Sequence, residues 1–385
     1  MGSTIGGGGL ARAKAAVLFG IALAHLMCAV PASAENPARA TTLHVATFDS
    51  GFGGFLTAKS IEATSASLLR DYNAEITIRH YGDTQNLPYG EKSPDQIARL
   101  ASAGVLKAFS EGADMVFIAC NTASTQFLRI REAVDATYPG ANLPVVSIID
   151  VSVSEARRRL DEILKSLPRA SLVVMATPAT VRSMTYPRRL AALYGASITE
   201  EPPLSFRQPR WYRTLGASVE SLTQISIITL PDGRRIEVYQ LAPANWVELI
   251  EHGADTPTRR RAVHRDLGLM IAMLPANTAP DVVGYFCTHF PLLDGVIRAD
   301  LASRLPHATV NAWPPSAVIS NPSRGRTWKQ TARKLYSRFS PPASVTATCT
   351  FATAATTWGE GSFCRSRIAG CRSLTSPAMS RPDGY

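Results

Sequence analysis

The chain is poor in cysteine and has no apolar run suited to crossing a membrane. Six cysteines occur in 385 residues. Cys28 lies in an N-terminal apolar stretch, and Cys349, Cys364 and Cys371 lie near the C-terminus, which leaves Cys120 and Cys287 in the body. This spacing fits neither a disulfide framework nor a zinc site. Residues 15–30 are apolar but broken by His25, and too short for a transmembrane span, so no stable membrane anchor is expected. No dinucleotide fingerprint, Schiff-base lysine context or metal-ligand spacing occurs, so no cofactor or metal is called for. Acidic residues are scarce at one end only. From Arg324 onward about ten Lys and Arg stand against two Asp and Glu, and this tail carries most of the net charge of +10. The rest is near neutral, so charge gives no ground for a nucleic-acid partner.

What is present suits a globular protein. Hydrophobic residues make up 45% and charged residues 18%, and the length allows two domains plus tails. Arg12 and Lys14, the apolar run and Ala32-Ser33-Ala34 predict a secretory signal over residues 1–34. The expectation is a periplasmic or secreted protein; a misassigned start would make it cytoplasmic. An oxidising compartment would threaten unpaired thiols.

The body alternates apolar strands with helical patterns. Strands are expected at residues 43–48, 75–81, 114–119, 145–149, 172–176 and 282–286. Helices are expected after most of them, including one from Pro94, where Ser93 marks the start. Repeated βα units predict an α/β fold with parallel-type sheets flanked by helices. Residues 224–240 alternate around Pro231-Asp232-Gly233 and predict a β-hairpin. Beyond about Pro314 periodicity fades, and residues 331–385 read as a basic tail without regular structure.

The strongest chemical feature is a near-repeat. Ala119-Cys120-Asn121-Thr122 follows one apolar strand, and Phe286-Cys287-Thr288-His289 follows another. Ligands of open α/β sheets bind at the carboxyl ends of strands. A single cysteine there reads as a small buried hydrophobe, but two in matching settings point to function. Asp49-Ser50-Gly51-Phe52-Gly53-Gly54 forms a glycine turn after the first strand, without the Lys-Ser/Thr of a phosphate loop. Gly82-Asp83-Thr84 and Pro88-Tyr89-Gly90 mark further turns. Taken alone, Ser50 and Thr122 would serve equally as helix or turn caps.

Together FDSGFGG from Phe48, GDTQNLPYG from Gly82, ACNTAS from Ala119, ATPATVRS from Ala176 and CTHFPLL from Cys287 resemble the glutamate racemase family, within the aspartate/glutamate racemase superfamily. The resemblance spans about residues 43–293. It implies two pseudo-symmetric α/β domains with the site in the interdomain cleft. The expected division is 42–143 with 294–330, and 144–293 with a hairpin insertion near 203–240. Cys120 and Cys287 match the catalytic cysteines. Asp49, Ser50, Tyr89, Gly90, Asn121, Thr122, Thr288 and His289 match substrate-contacting positions, and Thr180 lies in a segment that approaches substrate. Asp49, Asp83, Glu251 and His289 match supporting positions. Phe286 stands where the family usually has glycine, which is expected to narrow the pocket or restrict the backbone.

The activity so implied is cofactor-independent interconversion of L- and D-glutamate, supplying peptidoglycan synthesis, in an enzyme that is often a homodimer. Two thiol groups suit it, because one removes the α-proton from one face while the other returns a proton to the opposite face. The rival readings are a racemase for aspartate or another amino acid, an exported amino-acid-binding protein without catalysis, and a redox pair of the two cysteines.

Overall fold

The computed structural model describes residues 41–69, 74–207, 209, 220–276, 278–305, 312–313, 348–353 and 363–365. The signal-like segment and most of the basic tail lie outside the described residues. The strands are β1 (Thr41–Asp49), β2 (Ala74–Gly82), β3 (Met115–Ile118), β4 (Val145–Ser147), β5 (Arg169–Ala176), β6 (Ser197–Glu200), β7 (Leu204–Arg207), β8 (Glu220–Thr229), β9 (Arg235–Ala242), β10 (Val282–Phe286), β11 (Ala312–Trp313), β12 (Thr348–Thr353) and β13 (Phe363–Arg365). The helices are α1 (Gly54–Leu69), α2 (Pro94–Ser110), α3 (Asn121–Ser124), α4 (Phe127–Thr137), α5 (Ile148–Leu164), α6 (Pro178–Arg182), α7 (Thr185–Tyr194), α8 (Trp246–Glu251), α9 (Thr256–Met273) and α10 (Asp294–Arg304).

Two sheets result, ordered β13-β12-β2-β1-β3-β4 and β11-β10-β5-β9-β8-β6, with β7 also paired to β8. Each is covered on both faces. In the first, Val45 and Phe117 pack with Ala58 and Ile61 of α1, while Ala46 and Val116 pack with Ile97, Val105 and Ile130 of α2 and α4. In the second, Leu172 and Val174 face Val153 and Leu160 of α5, and Val173 and Met175 face Val263 and Leu267 of α9. Burial on both faces explains why these strands read as continuous apolar runs. Local signals set helix starts: Ser93 and Gln96 form a reciprocal capping box at α2, and Ser147 caps α5. Among the described residues no helix is long and apolar enough to cross a membrane.

Several expectations need correction. The second sheet is mixed, because β8 runs antiparallel to β6, β7 and β9. The hairpin around Pro231-Asp232-Gly233, expected as an insertion, is built into the second sheet, where β9 pairs in parallel with β5. Residues 145–147, expected in the second domain, pair with β3 in the first sheet. Residues 294–305, expected in the first domain, pack in the second. Ile297 and Leu301 form an i, i+4 apolar stripe on α10 that meets Leu267 and Met270 of α9. Finally, β12 and β13 lie in the tail where no regular structure was expected. The row of backbone groups on β2 not used by β1 can pair a passing strand without any amphipathic pattern.

Candidate active site

Neighbouring parallel strands bring the chemical groups to the site in pairs. In the first sheet β1 lies beside β3, and their ends deliver Asp49, Ser50 and Cys120. In the second β5 lies beside β10, with Ala176 opposite Phe286, so Thr177 and Cys287 follow side by side. The two sets of ends face one cavity. Ser50, Pro88, Tyr89, Gly90, Cys120, Asn121 and Thr122 line it from one side, and Thr177, Val247, Cys287, Thr288 and His289 from the other. Both cysteines are buried and free.

Cys120 has hydroxyl and amide neighbours. Its Sγ lies 3.4 Å from Ser50 Oγ and accepts the Ala123 N–H at 3.4 Å. Burial, reinforced by the Asp49 charge, pushes this thiol up to about 12; the bonds from Ser50 and Ala123 offset that only partly.

Cys287 has a histidine. His289 Nδ1 lies 3.9 Å from its Sγ, and His289 Nε2 lies 2.5 Å from Glu251 Oε1. Burial alone would lower the imidazole. The hydrogen bonds to Cys287 and Glu251 and the Asp49 charge outweigh it and raise His289 to about 10. Burial likewise opposes ionisation of Glu251, but the His289 hydrogen bond and charge prevail and hold it below the usual carboxylate range. Asp49 is fully buried. Burial raises it to about 6, against the lowering effect of His289 and of the Gly51 N–H that Oδ1 accepts at 3.0 Å. Its Oδ2 has no hydrogen-bond partner among the described residues.

The glycine turn binds the halves together rather than cradling a phosphate. A Cβ at Gly53 would sit 2.4 Å from Thr288 Oγ1, and one at Gly51 would sit 2.8 Å from Glu251 Oε1. The Phe52 N–H donates to the same Glu251 oxygen at 3.3 Å. Only glycine lets this loop approach so closely.

The remaining expected residues divide into cavity and support. Asp83 does not line the cavity; it accepts the Tyr89 hydroxyl at 2.7 Å and the Asn86 amide at 2.9 Å, which holds the Tyr89-Gly90 turn against the site. Burial and the Asp83 contact push the Tyr89 phenol well above its ordinary value. Thr180 also stands behind the wall. Its hydroxyl lies 2.9 Å from that of Thr177, which does line the cavity and was missed in the sequence. Thr177 in turn lies 2.8 Å from Thr122, so a hydroxyl contact joins the halves. Its signal was its place: the first residue past β5, capping a helix before Pro178. Val247 was also missed, and Pro88, read only as part of a turn, lines the cavity too. Phe286 does not narrow the pocket. Side chains alternate along a strand, so Phe286 points into the α5 face of the sheet while Cys287 points to the other.

No family model matches the chain. Over 258 residues it is 34% identical to a glutamate racemase of Ruegeria pomeroyi, a match covering 66% of this chain and 76% of that protein. Over 151 residues it is 36% identical to a glutamate racemase of Aquifex pyrophilus, where it spans 50% of the relative's length. The solved structure of a glutamate racemase from Bacillus anthracis shares the fold, with TM-score 0.54 at 17% identity, over 82% of this chain and 89% of that one.

Proposed function

The chain belongs to the glutamate racemase family, and we propose that it interconverts L- and D-glutamate without a cofactor, with Cys120 and Cys287 as two opposed acid–base groups. One observation carries this reading: two buried thiols from different sheets line a single cavity with hydroxyl and amide donors between them. In the reaction one thiolate takes the α-proton and becomes a thiol. The carbanion left at the α-carbon then takes a proton from the opposite thiol, which becomes a thiolate. Each turnover therefore exchanges the protonation states of the two sulfurs, and the reverse reaction restores them. Ser50, Asn121, Thr122 and Thr288 supply hydrogen bonds to the negative charge that builds on the substrate carboxylate, a role that needs fixed donors in a water-poor site. His289, held by Glu251, serves as the proton partner of Cys287, and Ser50 with Asp49 surrounds Cys120. The D-glutamate formed supplies peptidoglycan synthesis.

The test is racemisation of each enantiomer by the full chain under reducing conditions, followed by chiral chromatography, with aspartate as a parallel substrate. Conversion of both glutamate enantiomers is expected. Conversion of aspartate alone, or binding of glutamate without conversion, would overturn the reading.

A further inference from the structure

The Asn121 side chain is held from outside the cavity by a residue that no motif singled out. Tyr186, the second residue of α7, is buried and donates its hydroxyl to Asn121 Oδ1. The bond crosses between the halves, since Asn121 begins α3 beyond the first sheet and α7 packs on the second. Asn121 lines the cavity, and its Nδ2 is buried with no hydrogen-bond partner among the described residues. Tyr186 is itself fixed. Its ring centre lies 4.2 Å from that of Phe286, at an interplanar angle of 56°. Met184, two residues earlier, adopts φ 55°, a left-handed conformation unusual outside glycine, and its Sδ accepts the Gln240 amide at 3.1 Å. That turn separates α6 from α7 and brings Tyr186 to Asn121.

A carboxamide has a donor end and an acceptor end, and their exchange reverses what a ligand meets. A tyrosine hydroxyl donating to Oδ1 leaves Nδ2 as the free end. We infer that Tyr186 is a positioning residue that fixes the orientation of the Asn121 carboxamide, so that the site offers a donor and selects a carboxylate there, with Phe286 bracing the tyrosine. The inference rests on the reading of the cavity as a glutamate site. It also gives Phe286 a role: the ring in place of the family's usual glycine stiffens the support of Asn121 rather than touching substrate. Without the Tyr186 hydroxyl the amide is free to turn its oxygen toward the ligand, where it would repel a carboxylate. It would also leave a buried acceptor unpaired when it does not.

The test compares the full chain with Tyr186→Phe, which keeps the ring against Phe286 and removes only the hydroxyl. D-glutamate binding is measured by calorimetry, and α-proton exchange and melting temperature are followed on the same samples. The expected result is a roughly tenfold weaker Kd, about 1.4 kcal/mol, with KM rising by more than kcat falls. Phe286→Leu, which keeps apolar volume without an aromatic face, should weaken binding in the same direction by a smaller factor. Unchanged Kd in Tyr186→Phe, with or without a lower melting temperature, would overturn the inference. If the parent binds glutamate but exchanges no proton, the racemase reading fails, and the ratio of the two Kd values still decides the role of Tyr186. If the parent binds no glutamate, both fall.

Discussion

Cys120 and Cys287 occupy matching places, each just past a buried parallel strand, yet their surroundings differ. Cys120 meets a serine hydroxyl and a backbone N–H, and burial drives its thiol up to about 12. Cys287 meets a histidine raised to about 10 and backed by a carboxylate, so a positive imidazolium stands beside its sulfur at neutral pH. A neighbouring cation favours thiolate over thiol. Symmetry of the fold thus does not require symmetry of the groups around each sulfur. The site places a histidine beside one sulfur, and a hydroxyl and a backbone N–H beside the other. Enantiomers have equal free energy, so kcat/KM must be the same in both directions whatever the asymmetry. The difference between the cysteines therefore shows in thiol reactivity and isotope effects rather than in that ratio.

The largest effect should come from removing either thiol. Cys120→Ala and Cys287→Ala should each lower racemisation of both enantiomers by about 10³-fold or more, read by chiral chromatography. Substantial activity in one of them would break the pairing. A smaller effect sharpens the contrast between them. Mass spectrometry of the protein treated briefly with iodoacetamide at pH 8 should find Cys287 alkylated roughly tenfold faster than Cys120. His289→Gln should bring the two rates together. The preference should fade as pH passes about 10, where the imidazolium loses its proton. Equal rates in the parent would mean that the histidine does not distinguish the sulfurs.

The smallest effect concerns Asp49. Its value in the folded protein, about 6, lies above the ordinary 3.8. Its contribution to stability is thus complete below about pH 3.8 and is lost as pH rises through about 6. Asp49→Asn should therefore gain stability relative to the parent between pH 4 and pH 8, on the order of 2 kcal/mol in denaturant unfolding, while losing activity. A constant difference across that range would show that the buried carboxylate carries no such cost.

The strand ends that carry the two cysteines were legible in the sequence, for a physical reason. Buried parallel strands read as apolar runs, and Cys120 and Cys287 stood out where two of those runs stop, whereas Asp49, Ser50, Asn121 and Thr288 were expected at the site through the family resemblance. Groups that act through tertiary contact did not stand out. Nothing local to Tyr186 says that its hydroxyl reaches Asn121, 65 positions away. Thr177 was hidden beside Thr180 because both are threonines in one short segment, and only the strand end distinguishes them. The second sheet was harder still. A hairpin pattern states that β8 and β9 pair with each other, but not that β9 also joins β5 in parallel. The contact of α10 with α9 joins two helices apart in sequence and left no local signal. The expected narrowing by Phe286 failed because adjacent residues on a strand face opposite ways, so the side chain next to Cys287 belongs to the other face.

The most direct test of opposed thiols is the fate of the α-hydrogen at low conversion in deuterium oxide, followed by mass spectrometry of the separated enantiomers. The account predicts deuterium in the product enantiomer from the first turnovers and almost none in the recovered substrate, from either L- or D-glutamate. Product that keeps the substrate's own hydrogen, or deuterium appearing equally in substrate and product, would contradict two bases acting from opposite faces.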